Sequence, residues 1–154
     1  MCKFPYLVAS GKLTAEHAPA LESVLAHYSV AAQRVTPPSG AALTVTDGGL
    51  CYCLAPGSCG CGFLPSDAMP VIGVIRAILT TYEVKSAQFI YCVVDDDFRA
   101  GPRQLLQATT MPIAAAENAL RTHARLQHLV HWQFGREAPP HHALVALAAS
   151  SSPR

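Results

Sequence analysis

Apolar positions along this chain change rhythm several times, and each change marks a new element. Phe4 to Val8 make a β-prone run that Ser10, Gly11 and Lys12 break, the pattern of a first strand. The period then lengthens. Leu21, Val24, Leu25, Tyr28, Ala32 and Val35 recur at steps of three and four, with Glu22, His27, Gln33 and Arg34 falling elsewhere. This predicts a helix that starts near His17 or Ala18, with Pro19 in its first turn and with Thr14 and Glu16 as an alternative cap one turn earlier, and that runs until Thr36-Pro37-Pro38-Ser39-Gly40 stops it.

Two strand-like segments, 42–46 and 50–54, flank Asp47-Gly48-Gly49, a strong hairpin signal because glycine supplies the positive φ that tight primed turns need. Alternation then assigns faces. Leu50, Tyr52 and Leu54 share the core face with Leu43 and Val45, whereas Cys51 and Cys53 point away from the core with Thr44 and Thr46. Ala55-Pro56-Gly57-Ser58 matches a type II turn, which would send the chain back along a short strand carrying Cys59 and Cys61. In that register Cys53 faces Cys59 and Cys51 faces Cys61. A slip of one residue would put the second pair on the opposite face.

Ser66 or Asp67 can cap a second helix, carried by Met69, Ile72, Ile75, Leu79 and Tyr82 and widened by Val71, Val74 and Ile78. Ser86 to Val94 is a nearly continuous apolar run suited to a central strand covered on both faces, ended by Asp95-Asp96-Asp97. Three carboxylates there could gather Mg²⁺, but consecutive side chains alternate in direction and no phosphate-cradling glycine loop accompanies them, so they read as a solvated turn. A long helix is expected from Pro112 or Ile113 to about Phe134, with Gly135 as its stop. On it His123 shares the core side with Ala119, Leu126 and Val130. Arg121, Arg125, His128 and Trp132 form a stripe that could hold an anion, an acidic protein face or RNA, and that reads first as a solvent-facing surface. His141 to Ala149 suit one short docking helix before the terminal serines.

The resulting class is α+β: a single domain over residues 1–136 with a mixed or antiparallel sheet and helices mainly on one face. Its element order resembles a ferredoxin-like β-α-β-β-α-β variant with an extra C-terminal helix, and residues 137–154 form a Pro/His/Ala/Ser-rich tail, partly disordered or helical.

Charge narrows the choice of partner. Eleven Lys and Arg against ten Asp and Glu leave a net charge of +1, which argues against nucleic acid and against an anionic membrane surface. The longest greasy stretch, Val71 to Leu79, falls far short of the roughly 20 residues that cross a bilayer, and the first residues lack a secretory apolar core. A cytoplasmic location is the expectation. In a reducing compartment six cysteines are more naturally thiols or metal ligands than disulfides. The low charge content also leaves surface to be covered by another protein or by a second copy of the chain.

The chemistry concentrates in Cys51-Tyr-Cys53 and Cys59-Gly-Cys61. Four converging thiolates could hold a structural zinc, with ligands Cys51, Cys53, Cys59 and Cys61, since tetrahedral Zn–S bonds of about 2.3 Å need sulfurs about 3.8 Å apart. A two-iron cluster, two cross-strand disulfides and inert buried thiols are the competing outcomes. Cys2 and Cys92 stand apart from this group, Cys92 as a core residue. No nucleophile elbow or cysteine-enzyme signature accompanies the cluster. The sequence therefore points to a protein-binding module, of an inhibitor, immunity-type or assembly-subunit kind, with a cysteine-rich hairpin that holds zinc. A thiol-redox or metal-dependent enzyme using one of these cysteines is the alternative.

Overall fold

The computed structural model describes residues 2–37, 43, 48–56, 59–94, 97–101, 105, 107–126 and 130–151. In chain order its main elements are β1 (Cys2–Gly11), α1 (Ala18–His27), β2 (Gln33–Val35), β3 (Gly49–Cys53), α2 (Pro65–Ile78), β4 (Val84–Val94), β5 (Thr109–Thr110), α3 (Ile113–Thr122), β6 (Val130–Gly135) and α4 (Leu144–Ser151). The strands form one sheet in the order β2-β3-β1-β4-β6-β5. Every pairing is antiparallel except β5 with β6, so the sheet is mixed. No described helix is long and apolar enough to cross a membrane.

β1 is buried on both sides from Phe4 to Ala9, which is why its sequence shows no polar alternation. Register fixes what each face carries. Tyr6 lies between Cys53 of β3 and Ile90 of β4, and Leu7 between Tyr52 and Phe89. Leu7, Ala9, Leu50, Tyr52, Phe89 and Tyr91 therefore share the face on which all four helices pack, through residues such as Leu21, Ile72, Ile113 and Leu144. Phe4, Tyr6, Val8, Cys51, Cys53, Ile90, Cys92 and Val94 make a second apolar cluster on the opposite face. Among the described residues no α-helix contributes to that cluster. Val35 at the sheet margin closes it together with Leu43, Ala55, Phe98 and Leu105.

The alternation at 50–54 thus holds, but the side assigned away from the core is itself buried. The partner of β3 is also not the one expected. β1 takes one edge of β3 and β2 takes the other over Cys51–Cys53, while most of 42–46 and the Gly57-Ser58 half of the expected turn lie outside the described residues.

Two helices end earlier than their periodicity suggests. Ser29 adopts φ 58°, the Val30 amide donates to the Leu25 carbonyl at 2.9 Å and the Ser29 amide to Ala26 at 3.0 Å. This is a Schellman ending with serine in the left-handed position that glycine usually fills. The chain is thereby released, and Gln33–Val35 becomes an edge strand instead of a last helical turn. At α3 the Thr122 hydroxyl donates back to the Asn118 and Ala119 carbonyls, and His123 turns extended at φ −116°, ψ 133°. The expected helix to Phe134 is replaced by β6, whose Val130, Trp132 and Phe134 face the helices and whose backbone pairs the free edge of β4. His123 is consequently exposed, not packed in the core.

α2 begins earlier than expected, with Leu64 instead of Ser66 or Asp67 at its N-cap and Pro65 in its first turn, and the Leu64 amide donates to the Asp67 carboxylate at 2.8 Å. It passes close to α1. A β-carbon on Gly73 would fall 2.7 Å from the Tyr28 ring, so the bare backbone is what lets that ring lie against the helix. α4 packs into the helical layer through Leu144 and Ala148, and its first amide, on Leu144, donates to Glu83 at 2.9 Å. The Arg136 guanidinium donates to the carbonyls of Thr81, Tyr82 and Val84, tying the approach to α4 onto the start of β4.

Candidate metal centre

Beyond Cys53, β3 leaves the sheet, and its last link to β1 is the Leu54 amide donating to the Pro5 carbonyl at 2.9 Å. Lys3 lies beyond the stretch of β1 that β3 pairs, Tyr6–Ser10. A single 3-10 turn, Gly60–Gly62, settles there with Cys59 at its entry and Cys61 in its middle. Gly60 makes the approach feasible. A β-carbon at that position would lie 2.4 Å from the Lys3 carbonyl oxygen and 2.9 Å from Pro5 Cδ. The turn is anchored from below by Tyr91, whose hydroxyl donates to the Gly60 carbonyl at 2.8 Å. Phe63, immediately after it, stacks against Phe89 and Tyr91 with centroids 6.3 and 6.2 Å apart.

This seating brings three thiols together. The Lys3 amide donates to Cys61 Sγ at 3.4 Å, Cys59 Sγ donates to Cys61 Sγ at 2.9 Å, and the sulfurs of Cys2, Cys59 and Cys61 all lie within 4.8 Å of one another. Cys59 and Cys61 are exposed and Cys2 is half-buried. Burial first, and then the charges of Cys61 and Cys59, push the Tyr91 phenol above its ordinary pKa, which keeps it a hydrogen-bond donor to the turn.

Cys51 and Cys53 are not part of this group. Their exposures are 1% and 0%, and they lie in the second apolar cluster with Cys92, at 3%. Burial, reinforced by the charge of Cys53 on both and of Cys92 on Cys51, pushes the thiols of Cys51 and Cys92 up to about 12, and burial pushes Cys53 up to about 11. They stay protonated and unreactive. Among the described residues, Cys2, Cys59 and Cys61 form the one group of three or more acidic, histidine or cysteine side chains close enough to share an ion. The quartet Cys51, Cys53, Cys59 and Cys61 is therefore not assembled. Gly60–Gly62, bonded to Tyr91 of the helical face, is a 3-10 turn instead of part of a strand, and its glycines supply no alternation to hold a register.

Cys2 is the residue the sequence did not connect to the site. Nothing in local spacing links it to Cys59, and only the passage of β1 beneath the glycine turn does so. Asp97 of the aspartate run accepts from the Arg99 amide at 2.9 Å and caps a short turn, while Asp95 and Asp96 lie outside the described residues. His123 Nδ1 lies 2.9 Å from the Ala119 carbonyl.

The donor set is that of a soft-metal site. Three thiolates at tetrahedral Zn–S geometry would stand about 3.8 Å apart, within reach of sulfurs already inside 4.8 Å. A two-iron cluster needs four such ligands, one more than the group supplies. All six cysteines are free thiols. Fold and site together define a small α+β domain with a three-thiol surface group that could hold a metal ion. Comparison with protein-family models, with curated proteins and with solved structures finds no match.

Proposed function

We propose that this chain is a small metal-holding adaptor of the cytoplasm, in which Cys2, Cys59 and Cys61 bind zinc and the loaded surface docks on another protein. The observation that carries the reading is the convergence of three sulfurs within 4.8 Å on a turn clamped by Gly60 and Tyr91. Three thiolates leave one position of a tetrahedral ion to be filled from outside. On an exposed edge that position suits a donor side chain of a partner protein, whether a target held inactive or a neighbouring subunit. Bound metal would also tie the start of β1 to the turn, so that binding free energy adds to folding free energy. A reducing compartment keeps such thiols available.

Metal content of the purified reduced protein, measured with cysteine variants, tests the proposal. One zinc per chain is expected in the wild type and in Cys51→Ser, Cys53→Ser and Cys92→Ser, with loss of the ion in Cys2→Ser, Cys59→Ser and Cys61→Ser. Gly60→Ala should also lose it with all six thiols intact, because the added methyl pushes the turn off β1. Retention of zinc in Cys2→Ser together with its loss in Cys53→Ser would overturn the trio. A metal-free wild type in which a single cysteine alkylates far ahead of the others would favour the thiol-redox enzyme instead.

A further inference from the structure

At the far end of the sheet from β2, where α3 gives way to β6, lies a cleft of about 320 Å³ that the metal reading leaves unused. Its floor is apolar: Met111, Leu120, Leu126, Val130 and Trp132 line it, and Trp132 is held against Phe89 at 5.9 Å between ring centroids. The rim is polar, with Gln107, Thr109, His123 and Arg125 exposed around it. An apolar floor with a few polar groups at its mouth is the make-up of a small-molecule site, and this volume lies at the small end of the usual range.

The charges at the mouth narrow the ligand. Glu117 pairs with Arg76 and with Arg121, so those two guanidiniums are already engaged. Arg125, three residues beyond the end of α3, has no acidic partner among the described residues. A lone guanidinium offers a planar fork that fits a carboxylate. The cleft also sits at the C-terminal end of α3, where the negative helix dipole opposes anions in proportion to their charge, so that a single carboxylate on Arg125 is opposed less than a multiply charged phosphate. His123 adds a polar group of defined role. Its Nδ1 must carry a proton to donate to the Ala119 carbonyl, which fixes the ring at the rim of the cleft.

We infer that this cleft binds a small organic monocarboxylate with a flat apolar body, the carboxylate on Arg125 and the body against Trp132 and Leu126. Breaking the helix at Thr122 is what creates the site. In an unbroken helix Arg125 and Trp132 would form an outward stripe, whereas with α3 ended at Thr122 and Trp132 on β6 the two line one cavity.

Trp132 is the only tryptophan of the chain, so its fluorescence reports on the cleft directly. Titration with phenylacetate should give a saturable change in emission, and the neutral isostere phenylacetamide should bind at least about tenfold more weakly. Arg125→Gln should weaken phenylacetate about tenfold and leave phenylacetamide unchanged, while Ala119→Phe, which fills the cleft, should remove binding of both. Thermal unfolding followed by circular dichroism distinguishes loss of site from loss of fold, and a variant that melts with the wild type counts. A linear, non-saturating response, or equal affinity for the acid and the amide in wild type and Arg125→Gln, would overturn the assignment. The cysteines of the metal trio take no part, so success or failure here is independent of zinc content.

Discussion

Two sets of three cysteines occupy this small domain, and they differ in nearly every property that governs thiol chemistry. Cys51, Cys53 and Cys92 sit on paired strands in an apolar cluster, with exposures of 1%, 0% and 3%. Cys2 at the start of β1 meets Cys59 and Cys61, both exposed, on a turn held by backbone contacts and a tyrosine hydroxyl. Cysteine behaves as a small hydrophobe in the first setting and as a metal ligand in the second. Sequence clustering crosses this division: Cys51 and Cys53 are near Cys59 and Cys61 along the chain and belong to the other set in space.

The sharpest way to break that comparison is native alkylation. With thiols pushed up to about 12, about 11 and about 12, Cys51, Cys53 and Cys92 should react with iodoacetamide at pH 7.5 slower than an ordinary free cysteine by roughly 10²- to 10³-fold or more, because the thiolate is the nucleophile. Mass spectrometry of metal-free protein should find Cys2, Cys59 and Cys61 labelled first. Six sites modified at one rate would erase the distinction.

A single substitution made in both settings gives the next largest contrast. Cys53→Asp puts an unpaired carboxylate into the second cluster and should cost about 3 kcal/mol or more in urea unfolding, whereas Cys59→Asp, on the surface, should change stability by less than about 0.5 kcal/mol in the metal-free protein. Similar losses from both would mean that the glycine turn is as enclosed as the strands.

Alkaline titration resolves the smallest effect. The folded thiols of Cys51 and Cys92 hold their protons to about 12, while those of the unfolded chain release them near the ordinary value. Stabilisation from these groups is therefore complete below about pH 8.5 and is lost as the pH rises toward 12. Between pH 8.5 and 10 each should contribute roughly 1 kcal/mol to a fall in unfolding free energy. Cys51→Ala and Cys92→Ala should flatten that fall, and Cys59→Ala should leave it as it is.

Much of this arrangement is legible in the sequence where apolar alternation or a long run dictates pairing. β1, α2 and β4 follow from their hydrophobic runs, and the strict alternation from Leu50 to Leu54 assigns Tyr52 and Cys53 to opposite faces. What escapes is set by single residues or by distant chain. Ser29 ends α1 in a conformation that serine seldom adopts, so nothing near it signals the change. Val130 continues a helical spacing by coincidence, and the demand that settles its structure is the unpaired edge of β4. At the candidate site the pair Cys59 and Cys61 is visible as chemistry, but its partner depends on which side of β1 a glycine turn comes to rest. No alternation exists in Gly60-Cys61-Gly62 to decide that, and a thiol at position 2 gives no hint of it.

The contact between Tyr28 and Gly73 has a consequence for how this sequence can drift. One hydrogen atom at position 73 is all that the flat ring at position 28 tolerates, since even a methyl would stand 2.7 Å from it. Homologues that gain a side chain at the second position should therefore have surrendered the aromatic at the first, and a chain that added the side chain while keeping the ring would have α1 and α2 prised apart.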